Sequence, residues 1–245
     1  MITDEAGRVA RLPLSARLLG KAMALGNRLA GKHRYDDFRF ERVHGVPFLV
    51  TPSVFNPKVP RTGEFFAAQI DSRLVHRDAV VLDMGTGSGV CAVFAARYAQ
   101  RVVAVDINPA ATRCAAINAL LNDLEHKIEV RHGDLFAPVH GERFDLVLFN
   151  PPFLREAPRD HRDQAWRSSD VAERFAAGLA AHLKPGGAAL VLLSTFGDGG
   201  AFLREFRNQR FDIAVHAERR FLNERLTLFR LVPAGRLVPA AGSLT

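Results

Sequence analysis

From residue 79 onward, short apolar runs alternate with segments of helical period. AVVLDM (79–84), RVVAVDI (101–107), KIEVRHG (127–133), FDLVLFN (144–150) and AALVLLS (188–194) each read as a strand. Helices are expected after Gly87, from Asn108-Pro109 to about Leu121, up to about His182, where KPGG makes a stop and turn, and over 198–209. Strands over 211–217 and 225–232 close the pattern, separated only by HAERRFLNE, so the last strand is expected to run antiparallel. The fold class is α/β, a doubly wound, mostly parallel seven-stranded sheet with an antiparallel last strand. Upstream, Leu14, Leu18, Leu19, Ala22 and Leu25 mark one side of a helix over 14–31. Two short strands follow around His44-Gly45, then a Pro-broken loop, VFNPKVP, and a helix near Thr62 that carries Phe65, Phe66 and Ile70 inward. The expected domains are a basic N-terminal extension, 1–45, a main domain, 46–232, and a loose Pro/Gly/Ala-rich tail, 233–245.

The chemistry-bearing residues fall where these strands end. The first runs into Asp83-Met84-Gly85-Thr86-Gly87-Ser88-Gly89, a turn that lets a ligand approach backbone at a helix N-terminus. Its third glycine comes one position too early for the dinucleotide spacing G-x-G-x-x-G. The carboxylate of Asp83 would repel a pyrophosphate and attract a cation, which favours S-adenosylmethionine, an ammonium and sulfonium ligand, over NAD. Asp106 ends the second strand 17 residues after Gly89, where an acid holds ribose hydroxyls. Asp134, in HGDLF after the third strand, is placed to accept from an adenine amino group. The fourth strand stops at Asn150-Pro151-Pro152-Phe153, because proline cannot donate to a sheet ladder. An amide or exocyclic base nitrogen is a poor nucleophile. The Asn150 side-chain oxygen and the rigid Pro151 carbonyl are suited to accept its two N–H groups, and Phe153 to cover its flat face. A sulfonium methyl is already activated, so this chemistry calls for no metal.

Charge adds a question about partners. The net charge is +7, and residues 1–44 hold nine Lys/Arg against five Asp/Glu, more than half of that excess. Such a surface suits nucleic acid, a ribosomal or another acidic partner, or simply keeps an arginine-rich protein soluble. No apolar run approaches the roughly 18 residues of a membrane span. Arg17, Lys21 and Arg28 interrupt the apolar stretch from Leu12 to Leu29, which excludes a signal peptide. Two cysteines, Cys91 and Cys114, provide neither a disulfide framework nor metal spacing and are expected as small core-side residues in a reducing, cytoplasmic setting.

VLDMGTGSG, VDIN, GDLF and NPPF, in this order, resemble a class I S-adenosylmethionine-dependent methyltransferase. Together with VFNPKVPRTGEFF they are similar to the HemK-like group, which includes protein glutamine N5-methyltransferases and nucleic-acid amino methyltransferases. The resemblance covers about residues 46–232. It implies that Asp83 and the Gly85/Gly87/Gly89 loop flank the methionine portion of the cofactor, that Asp106 takes the ribose and Asp134 the adenine. Thr62, Thr86, Ile107, Leu135 and Asn150 complete the implied cofactor set, and Asn150, Pro151, Pro152 and Phe153 the acceptor site, with Asn150 and Pro151 catalytic. Members acting on release factors commonly carry a larger helical N-terminal domain, whereas about 45 residues precede the matched region here, so docking differs or the substrate is smaller.

The acceptor stays open at this level. A protein glutamine, a nucleic-acid base and a small molecule of secondary metabolism all suit NPPF. Arg155, Arg159, His161, Arg162 and Arg167 are candidate phosphate contacts, though Glu156, Asp160 and Asp163 are interleaved with them, and Trp166 is a candidate for stacking. A reading of another class is a non-catalytic nucleic-acid- or ribosome-binding protein on a methyltransferase fold. The intact Asp83, Asp106, Asp134 and Asn150 speak against it.

Overall fold

The computed structural model describes residues 2–3, 9–10, 37–57, 61–152, 170–222 and 224–235. The helix expected over 14–31, the loop 154–167, Phe153 and most of the tail lie outside them. β1 (Ile2–Thr3) pairs with β2 (Val9–Ala10). β3 (Arg39–Val43) and β4 (Val46–Val50) form an antiparallel hairpin whose turn residues, His44 and Gly45, both have positive φ, 46° and 82°. A two-residue turn of this kind matches the twist of its strands.

The main sheet is built from β5 (Val80–Met84), β6 (Arg101–Asp106), β7 (Ile128–His132), β8 (Phe144–Phe149), β9 (Leu183–Ser194), β10 (Phe211–Arg220) and β11 (Arg225–Pro233) in the order β10-β11-β9-β8-β5-β6-β7. β7, β6, β5, β8 and β9 run parallel, and β11 is antiparallel to both β9 and β10. Both faces of the central strands are covered, which is why they read as continuous apolar runs. On one face lie α1 (Thr62–Ala67), α2 (Val90–Ala96) and α3 (Pro109–Leu121), with Phe65, Phe66, Val93 and Ala119 in the core. On the other lie α4 (Val171–Leu179) and α5 (Gly199–Asn208), contributing Phe175, Leu179, Phe202 and Phe206. Asn108 caps α3 by accepting from the Ala110 N–H, with Pro109 in the first turn.

Two expectations about strand limits change. KPGG is not a turn between elements but the irregular start of β9. The pairing with β8 jumps from Phe144↔Leu183 to Leu146↔Ala188, and this shift accommodates Pro185, which lacks an N–H, and Gly186 at φ 81°. β10 continues to Arg220 rather than ending at 217, with a bulge between Val215 and Ala217.

α3 ties the hairpin to the sheet through a buried amide. Asn118 Oδ1 accepts the Leu49 N–H at 2.7 Å, and its Nδ2 donates to the carbonyls of Leu49 and Ser88, each at 2.8 Å. Cys114 is buried beside it with its thiol directed at the Leu49 carbonyl, 3.2 Å away. Cys91 is buried too, so both cysteines sit in the core as expected.

Gly89, the residue before α2, combines φ 81° with a close approach: a Cβ there would lie 3.1 Å from Ala115 Cα. Gly141 has the same φ with nothing within 4 Å. Gly89→Ala is expected to cost about 2 kcal/mol and lower the melting temperature by roughly 4–8 °C. Gly141→Ala is expected to cost about half as much, because it bears only the backbone strain; circular-dichroism melts of the two variants side by side check this.

Candidate functional site

The parallel strands bring their carboxyl ends to one edge of the sheet, and the candidate residues gather there. Asp83, the penultimate residue of β5, is almost fully buried. Its Oδ2 accepts the Thr86 hydroxyl at 2.6 Å and the Ala92 N–H at 3.0 Å. Thr86 in turn donates its N–H to the Val105 carbonyl at 3.0 Å. One carboxylate thus clamps the glycine loop between β5, β6 and the first turn of α2. Burial pushes the Asp83 pKa up to about 7, opposed by the two donors and assisted by the nearby charge of Asp106.

Asp106 ends β6 and faces the same loop. Its Oδ2 accepts the Gly87 N–H and its Oδ1 the Asn108 N–H, both at 2.8 Å. Burial raises this carboxyl as well, against the pull of those donors. Gly85 and Gly87 adopt φ 64° and 56°, and a Cβ added at Gly87 would meet nothing closer than the Gly85 carbonyl at 4.0 Å. The space over the loop is therefore open while its backbone is fixed. Ile107, next along, leaves 37% of its surface exposed beside it. Leu135 takes φ 47°, a conformation uncommon without glycine. Its neighbour Asp134 accepts the Arg174 guanidinium at 2.5 Å, and Arg174 also lies 3.9 Å from Asp170.

Asn150 follows the last residue of β8. Phe149, just before it, is locked by Phe175 at 4.2 Å and Phe202 at 6.3 Å between ring centroids. The Asn150 Nδ2 faces Thr62 Oγ1 at 3.5 Å, and Thr62 is fully buried. Asn150 Oδ1 is buried from water and has no donor among the described residues. Pro151 is buried and Pro152 half-buried.

The structure therefore brings Thr62 to Asn150, Thr86 to Asp83 and Gly87 to Asp106, and sets all of them on one edge. Asp134 is tied to α4 instead of the glycine loop. Sequence reading missed two residues of this assembly. Asn118 was visible as an amide inside the small-residue stripe Ala111, Cys114, Ala115, Ala119, and it holds Ser88 of the loop. Arg174 carried no signal, since its partner is 40 residues away.

The family model described as the methyltransferase small domain matches residues 45–216. The chain belongs to this family. Its members are S-adenosylmethionine-dependent methyltransferases. The chain is 34% identical over 186 residues to the release factor glutamine methyltransferase of Koribacter versatilis, a match covering 63% of this chain and 65% of that protein. It is 37% identical over 107 residues to the ribosomal RNA small subunit methyltransferase C of Alcanivorax borkumensis, covering 44% of this chain and 30% of the relative. The chain thus spans less than two thirds of the length of either. Among solved structures, a 16S rRNA methyltransferase of T. thermophilus in complex with AdoMet and guanosine superposes with a TM-score of 0.59 at 24% identity, over 80% of this chain and 50% of that one. This likeness establishes the fold. Among the described residues no helix is long and apolar enough to cross a membrane.

The residues present fit the cofactor of this family. The open cradle above Gly87, the carboxylate of Asp106, the exposed flank of Ile107 and the acid at Asp134 offer a sugar-binding acid, an apolar wall and an acceptor for an amino group. No basic residue stands on the loop from Gly85 to Gly89, whereas Asp83, expected to attract a cation, is buried and gives its carboxylate to Thr86 and Ala92, so it shapes the loop instead of meeting a ligand.

The Asp83 shift has a stability consequence. Between pH 3.8 and about 7 the folded chain holds a proton that the unfolded chain releases. This contribution is full below the unfolded pKa and is lost as pH rises through the folded one. Asp83→Asn is expected to flatten that segment of the pH–stability curve and to raise stability relative to the parent above pH 7, as read by chemical denaturation from pH 4 to 8.

Proposed function

We propose that this chain transfers the methyl group of S-adenosylmethionine to a planar amide or amino nitrogen, carried by a protein glutamine or a nucleic-acid base. One observation carries the reading: a side-chain carbonyl, Asn150 Oδ1, buried at the end of a parallel strand with no donor among the described residues. Leaving such an atom unpaired costs about 1–3 kcal/mol, and the arrangement makes sense if an incoming N–H completes it. Its support is rigid, with Phe149 packed behind it, Thr62 on its nitrogen and two prolines after it.

The bound cofactor supplies a methyl group activated by a positive sulfur. The chain does the rest through position. Asn150 Oδ1 and the Pro151 carbonyl accept the two hydrogens of the acceptor nitrogen and stabilise the positive charge that grows on it. Asp106 and the loop fixed by Asp83 hold the donor in register. Alignment of this kind is worth effective molarities on the order of 10⁵ M or more. The catalytic domain in this reading is 46–232. The relatives support both acceptor types, because one is named for a release factor glutamine and another for ribosomal RNA.

Asn150→Ala is expected to bind S-adenosylmethionine as the parent does, by calorimetry, while methyl transfer drops roughly 10²–10³-fold. The assay uses tritiated S-adenosylmethionine and cell extract divided into protein, nucleic-acid and small-molecule fractions. Undiminished label transfer by the variant rules the mechanism out, and label confined to small molecules rules out both proposed acceptors.

A further inference from the structure

Beside the acceptor site stands a group of side chains that the proposed chemistry does not use. Arg61 immediately precedes Thr62, the neighbour of Asn150. Its guanidinium carbon lies 5.6 Å from the centroid of the Phe221 ring, and that of Arg219 lies 5.3 Å from the same centroid. Both arginines are exposed. Among the described residues neither has a carboxylate partner. The contrast with their neighbours is sharp, since Glu218 takes Arg220 at 2.8 Å and Arg225 at 3.6 Å. Two guanidinium groups thus share one aromatic ring, which concentrates positive charge at this point of the surface.

The platform is also built rigidly into the site's edge. The Phe221 N–H donates to the Glu224 carbonyl at 2.7 Å, closing the β10–β11 turn. Glu224 Oε1 accepts the Ser194 hydroxyl at 2.5 Å, and the Thr195 hydroxyl accepts the Arg225 N–H at 3.0 Å. Ser194 ends β9, the strand that pairs with β8 and so stands next to Asn150. Phe221 itself packs against the core, which leaves the guanidinium groups as the outward part of the assembly.

We propose that Arg61, Arg219 and Phe221 form a phosphate-binding platform at the rim of the acceptor site, and that the acceptor is a base in a nucleic-acid strand, for which single-stranded RNA is the probe. The inference rests on the methyl-transfer reading above and narrows it. A base entering the Asn150 site brings backbone phosphates on either side of it, which must meet cations at the rim. A glutamine side chain brings none. Arginine beside an aromatic ring also suits nucleic acid, because a base can stack on either group. An acidic protein partner would use the charge but not the ring.

The test measures binding of a fluorescein-labelled, mixed-sequence, 20-nucleotide single-stranded RNA to the full chain across a salt series, beside labelled poly-glutamate. The double variant Arg61→Gln/Arg219→Gln is expected to lose at least tenfold in RNA affinity at low salt. Its log–log salt slope should be shallower by about 1.4, or about 0.7 per lost phosphate contact. Arg219→Gln, on an exposed edge strand that tolerates substitution, should lose about half of that slope. Arg204→Gln, an exposed arginine on α5, should change neither quantity. RNA binding unchanged in the double variant overturns the proposal, as does an equal loss in Arg204→Gln. A loss seen only with poly-glutamate assigns the surface to an acidic protein and overturns it too. Asn150→Ala separates this from the parent reading: it should keep the salt slope of RNA binding that the two arginines set, while methyl transfer falls roughly 10²–10³-fold. Normal transfer by that variant removes the methyl-transfer mechanism, and the platform is then judged by the binding data alone.

Discussion

A carbonyl oxygen sealed from water without a donor is an expense that a folded chain rarely carries, and among the described residues Asn150, at the end of the central strand β8, has no donor for its side-chain oxygen. Much of the surrounding structure holds that atom in place. Aromatic rings from α4 and α5 fix Phe149 on one side of the sheet. Thr62, at the start of α1, takes the amide nitrogen on the other. The two prolines, which have no N–H to give to the ladder, end the strand directly after Asn150. In the proposed reading, an N–H of the methyl acceptor would complete that oxygen and recover the cost.

The donor side follows a related logic with charge in place of a dipole. Asp83 is withdrawn from water and Asp106 partly so, and the charge of Asp106 adds to the cost of ionising Asp83. Backbone and hydroxyl donors from Thr86, Ala92, Gly87 and Asn108 offset part of that cost. These bonds also shape the glycine loop, so the electrostatics and the shape of the cradle are inseparable. Asn118 extends the network outward, joining the loop's Ser88 to the β3–β4 hairpin. Asn122, which follows α3, and Cys114 within it also bond to the hairpin, at the Pro47 and Leu49 carbonyls.

The fold was legible because buried parallel strands write themselves as continuous apolar runs, and their carboxyl ends are marked by Asp83, Asp106 and Asn150. The antiparallel last strand was legible from the shortness of the 216–224 connection. KPGG misled, because Pro and Gly signal a break in chain direction but here mark a bulge inside β9, where pairing with β8 absorbs both residues. β10 extended past its apolar positions because an edge strand has only one neighbour and tolerates a charged end at Glu218–Arg220. In the site, the acids and the amide were visible as types at strand ends, whereas the Arg174–Asp134 pair and the Arg61–Phe221–Arg219 group depend on tertiary approach between distant segments. Sequence spacing carries no trace of such encounters.

The central claim is that the unpaired Asn150 carbonyl faces the methyl-bearing sulfur across the space where an acceptor nitrogen sits. A crystal structure with S-adenosylhomocysteine tests it most directly. The account predicts ribose hydroxyls on Asp106, the adenine amino group toward Asp134, and the sulfur opening onto Asn150 Oδ1 with that oxygen still free of protein donors. A ligand seated away from the glycine loop, or an Asn150 oxygen turned from the sulfur and bonded within the protein, would contradict it.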